Sequence, residues 1–195
     1  MINIKIIKMV IDVVLIALLS AIALMLFTIS AFQKRPTNRI NYPRRDFNKA
    51  EVKGKKAIYL MGSLKNRDVI DIAKTIRKLG FEVFDDWIAP GPEADDFWRE
   101  YEKRRGSNYK EALNHWAGKH IFEFDKTHID RSSIGVLVMP AGKSAHMELG
   151  YMIGQNKKCF VLFDKEPERW DVMYQFADNI FFDLKDLIKE LEKLR

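Results

Sequence analysis

Apolar residues recur along the chain in two rhythms. Short continuous runs at residues 57–61 (AIYLM), 81–84 (FEVF), 134–139 (IGVLVM), 159–163 (CFVLF) and 179–182 (NIFF) read as strands. Between the first two, Val69, Ile72, Ala73, Ile76 and Leu79 fall at helical spacing over 68–79, and Gly80 closes the segment. A further helix is predicted over 108–117, followed by an irregular one carrying Phe122, Phe124, Asp125, Ile129 and Asp130. After the break at Pro140-Ala141-Gly142, Ser144 is the predicted N-cap of a helix reaching about Gln155, and a last helix covers 184–194. Gly150 and Gly154 lie inside the 144–155 helix, where glycine costs about 1 kcal/mol relative to alanine, so close approach to the sheet or to a ligand is expected there. Residues 88–107, with Pro90-Gly91-Pro92 and a charged stretch bearing Phe97, Trp98 and Tyr101, read as an insertion. Strands alternating with helices predict an α/β domain with a mostly parallel sheet of about five strands between two helical layers.

The longest apolar run lies before this pattern. Residues 13–32 are 20 positions without a charge. At 1.5 Å rise per residue they span a hydrocarbon core of about 30 Å. Ala21-Ile22-Ala23 mimics a signal-peptidase site, but it lies inside the run rather than after it, which favours an uncleaved anchor. Lys34, Arg35, Arg39, Arg44 and Arg45 follow the run, against Lys5 and Lys8 before it, so the bias favours a single-pass membrane protein with a cytoplasmic C-terminal domain. The expected division is an anchor at 1–32, a basic juxtamembrane linker at 33–56, and a domain at 57–195. The fold class expected of that domain is flavodoxin/Rossmann-like.

Charge refines this division. Residues 1–56 hold 11 Lys/Arg against Asp12, Asp46 and Glu51, whereas the remaining 139 residues hold 22 Lys/Arg against 24 Asp/Glu. The formal +6 therefore belongs to the linker, whose cations suit anionic headgroups, and no nucleic-acid partner is expected of the domain. The single cysteine, Cys159, rules out an internal disulfide and sits in an apolar run as a core residue.

Candidate chemistry gathers where strands end. Tyr59 with Gly62-Ser63, the run Asp85-Asp86-Trp87, and Gly142 with Ser144, His146 and Glu148 all fall at the carboxyl ends of predicted strands, with Asp164 after the fourth. Open α/β sheets bind ligands at that edge. Asp125 joins from the helix before the third strand. Such a rim offers carboxylates, a stacking aromatic and a small-residue turn suited to phosphate. One carboxylate can attack a sugar carbon while another holds a hydroxyl or moves a proton. Free amides at the helix start are expected to keep Glu148 ionised. Each residue also has an ordinary structural role open to it: Asp85 and Asp86 as turn caps, Trp87 as core, and Asp125 as one charge on a solvated face. His115, His120 and His128 lack metal-ligand spacing and read as surface or satisfied core residues, so neither metal nor cofactor is expected. The chain has no nucleophile elbow, Walker loop or dinucleotide-binding fingerprint.

Ile58-Tyr59-Leu60-Met61-Gly62-Ser63, Asp125 before the third strand, and His146-Met147-Glu148-Leu149-Gly150-Tyr151-Met152 together resemble the nucleoside 2-deoxyribosyltransferase family, over about residues 57–163. The resemblance implies Glu148 as the nucleophile at the anomeric carbon, Tyr59 beside it, and Asp125 orienting the sugar or base. From nucleotide-cleaving relatives it implies Gly62, Ser63 and Ser144 as contacts for a 5′-phosphate. A second, weaker resemblance in the Pro140-to-Glu148 spacing, to phosphoribohydrolases, points to the same bond. Gly142-Lys143 stands where some transferases carry another aspartate, and His146 is bulkier than its counterparts, so transferase and hydrolase both stay open. The partner expected is a small nucleoside or nucleotide, with a homo-oligomer possible. The alternatives are a membrane-tethered nucleotide sensor or interaction module without turnover, and an NAD-cleaving glycohydrolase.

Overall fold

The computed structural model describes residues 55–195. Strands β1 (Ala57–Met61), β2 (Glu82–Phe84), β3 (Ile134–Val138), β4 (Lys158–Leu162) and β5 (Asn179–Phe181) form one sheet in the order β2-β1-β3-β4-β5. Every neighbouring pair is parallel, with Tyr59 opposite Phe84 on one side and Gly135 on the other. All five residues of both β1 and β3 are buried, as strands covered on two faces require.

Helices cover both faces. Helix α1 (Asp68–Lys78) turns Val69, Ile72, Ala73 and Ile76 inward, and the C-terminal helix α6 (Leu184–Lys193) turns in Leu187 and Leu191. These pack with Ile58, Leu60, Val83, Ile134, Val136, Phe160 and Leu162 into one core. Full burial of such a side chain contributes about 1.5–3 kcal/mol, so this layer needs few residues to hold. Helix α4 (Trp116–Arg131) and helix α5 (Lys143–Gly154) cover the opposite face, over Tyr59, Met61, Phe84, Leu137, Cys159 and Val161. The strand order reverses between β1 and β3, the switch point at which such sheets open a crevice.

Several local expectations change. The insertion contains helix α2 (Ala94–Arg104), built around the buried Glu102. The helix expected over 108–117 is one turn only, α3 (Tyr109–Ala112). Asn108 and Glu111 form a reciprocal capping box there, and the Asn114 amide donates back to the Lys110 carbonyl, which ends the turn before α4 begins at Trp116. Helix α4 is continuous rather than irregular. Helix α5 starts two residues early, with Gly142 rather than Ser144 as its N-cap, so Ser144 lies in the first turn and caps nothing. A Cβ at Gly150 or Gly154 would meet open space, so neither glycine is there for close approach to the sheet. The crowded glycines are Gly62, Gly118 and Gly135.

Among the described residues no helix is long and apolar enough to cross a membrane. The expected anchor, and all but the last two residues of the expected linker, lie outside the described residues.

Candidate active site at the strand switch point

The centre of the site is built by three elements. Alternation along β1 puts Tyr59 on the α4–α5 face, where it is fully buried. Its ring stacks on Phe84 at 5.2 Å, and its hydroxyl donates to Glu148 Oε1 at 3.3 Å. Glu148 reaches that hydroxyl from the second turn of α5, whose neighbours Ala145, Leu149 and Met152 face the sheet. Asp125 comes from α4 and lies close enough to raise the protonation midpoints of both Tyr59 and Glu148. Its Oδ1 is buried and makes no hydrogen bond.

Burial governs the charge state here. Glu148 is pushed up to about 7, first by desolvation and then by the Asp125 carboxylate, while the Tyr59 hydroxyl opposes the shift. Asp125 is pushed up to about 6 by desolvation. The Tyr59 hydroxyl is held far above its usual range by burial beside two acids. This corrects the expectation that the helix start keeps Glu148 ionised. Glu148 lies beyond the first turn, where the free amides and the dipole act, and in a dry crevice a carboxylate loses more from desolvation than it gains from one hydroxyl donor. Two close carboxylates with raised midpoints hold a proton between them near neutral pH, and its loss frees Glu148 to act as a nucleophile.

The remaining predicted residues divide. Trp87 belongs to the crevice wall: pairing with β2 stops at the Tyr59–Phe84 register, and the Trp87 indole takes up the next carbonyl, that of Leu60, at 2.7 Å. A Cβ at Gly62 would stand 3.0 Å from Val69 Cγ2 and 3.4 Å from Trp87 Cη2, so this turn fits glycine. Ser63 accepts from the Lys65 amide at 3.2 Å and shapes the same turn. Asp85 is turned away. It is buried in an ion pair with Arg77, whose guanidinium also donates to the Val83 carbonyl at 2.9 Å. Asp86, itself exposed, opens the turn 86–88 at the end of β2. Gly142 and Ser144 are exposed at the start of α5. His146 makes two hydrogen bonds, from Nδ1 to the Gly142 carbonyl at 2.7 Å and between Nε2 and the Tyr174 hydroxyl at 2.9 Å. Since a carbonyl only accepts, Nδ1 carries the proton, and in the neutral ring Nε2 accepts from Tyr174.

Sequence reasoning missed Tyr174 and Asn66 around this centre, and read His128 as a surface or satisfied core residue, the second of which it is. Tyr174 holds His146 from the β4–β5 connection. His128, one turn after Asp125, stacks on Phe84 at 3.9 Å and accepts from Arg131 Nε at 2.7 Å. Burial and the Arg131 charge hold His128 down at about 4, a neutral packing ring. Asn66 is buried at the loop after β1. The i, i+3 spacing of Asp125 and His128 puts both on one face of α4, while no pattern in the sequence marked Tyr174 or Asn66. Among the described residues no group of His, Cys, Asp and Glu is arranged to hold a metal ion. A cleft of about 400 Å³ between Asn108 and His115 contains none of the site's residues.

No family model and no curated relative matches the chain. Similar solved structures include a 2-deoxyribosyltransferase from Bacillus psychrosaccharolyticus, at 18% identity over 68% of this chain and 90% of that one, with a TM-score of 0.46. Another is a CMP N-glycosidase from Clostridium botulinum, at 14% identity over 70% of this chain and 99% of that one, with a TM-score of 0.43.

Proposed function

We propose that the protein cleaves or transfers at the N-glycosidic bond of a (deoxy)nucleoside or its 5′-monophosphate, with Glu148 as nucleophile. The observation that carries this reading is the Tyr59–Glu148 hydrogen bond beside Asp125, three groups delivered by separate elements to the switch-point crevice. The ionised Glu148 carboxylate attacks the anomeric carbon. The carbon–nitrogen bond breaks, its electron pair leaves with the base, and the base takes its proton from solvent water, which the later loss of a proton by the attacking water or second base balances. Water or a second base then displaces the carboxylate from the glycosyl ester. Tyr59 keeps one carboxylate oxygen oriented by donating to it, and the unpartnered oxygen of Asp125 is available to a sugar hydroxyl or to the base. Gly62, Ser63 and Ser144 are the proposed contacts for a 5′-phosphate, with Trp87 on the wall between them and β2.

The test is incubation of the full chain with a panel of nucleosides, nucleoside monophosphates and NAD, with release of free base followed by chromatography. Base release that disappears in Glu148→Gln supports the reading. Tight ligand binding with no base released from any member of the panel overturns it in favour of a sensor.

A further inference from the structure

Strands β1 and β3 run side by side, but the helices that follow them, α1 and α5, lie on opposite faces of the sheet. Two loops therefore part at the site, one after β1 and one after β3. A single buried side chain joins them. Asn66, 7% exposed, donates from Nδ2 to the Met139 carbonyl at 3.2 Å. Its Oδ1 accepts from the Asp68 amide at 3.1 Å, and its own amide donates to the Ser63 carbonyl at 2.8 Å. The orientation of the side-chain amide is dictated by these partners, since only the nitrogen can face a carbonyl and only the oxygen can face an N–H. Beside this link, Gly62 is packed against Val69, Trp87 and the Val138 carbonyl. Three residues after Met139 comes Gly142, the N-cap of α5, and Glu148 follows in the second turn.

We infer that Asn66 is a positioning residue for the reaction proposed above, its side chain tying the β1 loop to the β3 loop so that the crevice stays closed to water from below and the start of α5 holds Glu148 over Tyr59. This inference rests on that functional reading for its catalytic meaning. Its physical content stands on the Asn66–Met139 bond alone. If the tie is cut, the two loops separate, water reaches Glu148, and the desolvation that raises its carboxyl weakens. The groups facing Glu148 are otherwise Asp125 and Tyr59, and neither is altered.

Serine keeps a short oxygen acceptor for the Asp68 amide but does not reach Met139, so Asn66→Ser cuts the tie and spares the turn. Asn66→Asp also keeps the turn and sets a carboxylate oxygen against the Met139 carbonyl. The full chain carrying each substitution is compared with the unmodified chain by three measurements. These are the ¹³C titration of the Glu148 carboxyl without ligand, identified by its loss in Glu148→Gln, kcat and KM for base release, and the melting temperature. The expected result for Asn66→Ser is a Glu148 midpoint lower by about one pH unit. Turnover falls about tenfold or more, from the displaced nucleophile, with the melting temperature nearly unchanged. Asn66→Asp should lose more turnover, and it serves as the test if Asn66→Ser does not fold. An unshifted Glu148 midpoint with normal kcat overturns the inference, as does a loss of activity that follows the melting temperature alone. If the unmodified chain releases no base, the functional reading fails, and the titration still decides whether Asn66 keeps water from Glu148.

Discussion

Replacing Glu148 by glutamine changes its charge and little of its shape. The variant should fold and keep much of its ligand binding while base release disappears, because a neutral amide does not form the glycosyl ester. Asp125→Asn should impair the reaction less, since an amide still makes hydrogen bonds, and Tyr59→Phe less again if its hydroxyl only orients Glu148. These are read as kcat and KM on one substrate. The raised midpoints add a pH signature. With Glu148 near 7 and Asp125 near 6, kcat/KM should climb as pH rises through 6–7, where the pair gives up its proton, and level above it. Stability runs the other way. Both carboxyls bind protons more tightly folded than unfolded, so their contribution is complete below the ordinary carboxylate range and is lost as pH rises through 6–7. Glu148→Gln should therefore melt higher than the unmodified protein at pH 8, with the gain vanishing near pH 4. A melting difference independent of pH would remove the buried charge as its cause.

At the scale of elements, the end of β2 and the turn after β1 make opposite predictions. Asp85 is committed to Arg77, which ties the end of β2 to α1. Asp85→Asn should lower stability by about 1–3 kcal/mol, measured by denaturant unfolding, through weakening a partly buried charged bond, and should leave KM alone. A large KM change with unchanged stability would return Asp85 to the binding set. Gly62→Ala drives a methyl into Val69 and Trp87 at the crevice wall. It should cost about 1–3 kcal/mol and turnover together, because the wall must shift to accept it. Helix α5 shows why its chemistry was half legible. Its apolar positions and the break at Gly142 predicted the helix and placed Glu148 near a strand end. The capping residue and the charge state did not follow, because both depend on which groups the tertiary structure brings against that turn.

Over the whole molecule, the described domain carries near-balanced charge while the excess cations precede it. We propose that residues 13–32 anchor the chain with this domain on the cytoplasmic side. The full chain should then sediment with membranes and be released by detergent rather than by salt. Soluble mature protein with an amino terminus just after Ala23 would indicate a cleaved signal peptide instead. Linker cations near an anionic surface, at about 1 kcal/mol each, would add a salt-sensitive part to the attachment without replacing the apolar one.

Sequence alone determined the strand and helix alternation, because buried strands and one-sided helices leave different apolar periods whatever surrounds them. It also placed Tyr59, Asp125 and Glu148 on elements that a parallel winding brings to one edge. Tertiary structure alone decided which groups meet there. The strand order put β1 against β3, and with that Tyr59 beneath Glu148 and Asn66 beside Met139, pairs separated by 89 and 73 positions in the chain. It likewise took Asp85 out of the site by supplying Arg77, and it raised Glu148 by drying its surroundings. Local patterns record which face of an element is buried. They do not record what lies across the gap, and a carboxylate's partners and its proton affinity are set across that gap.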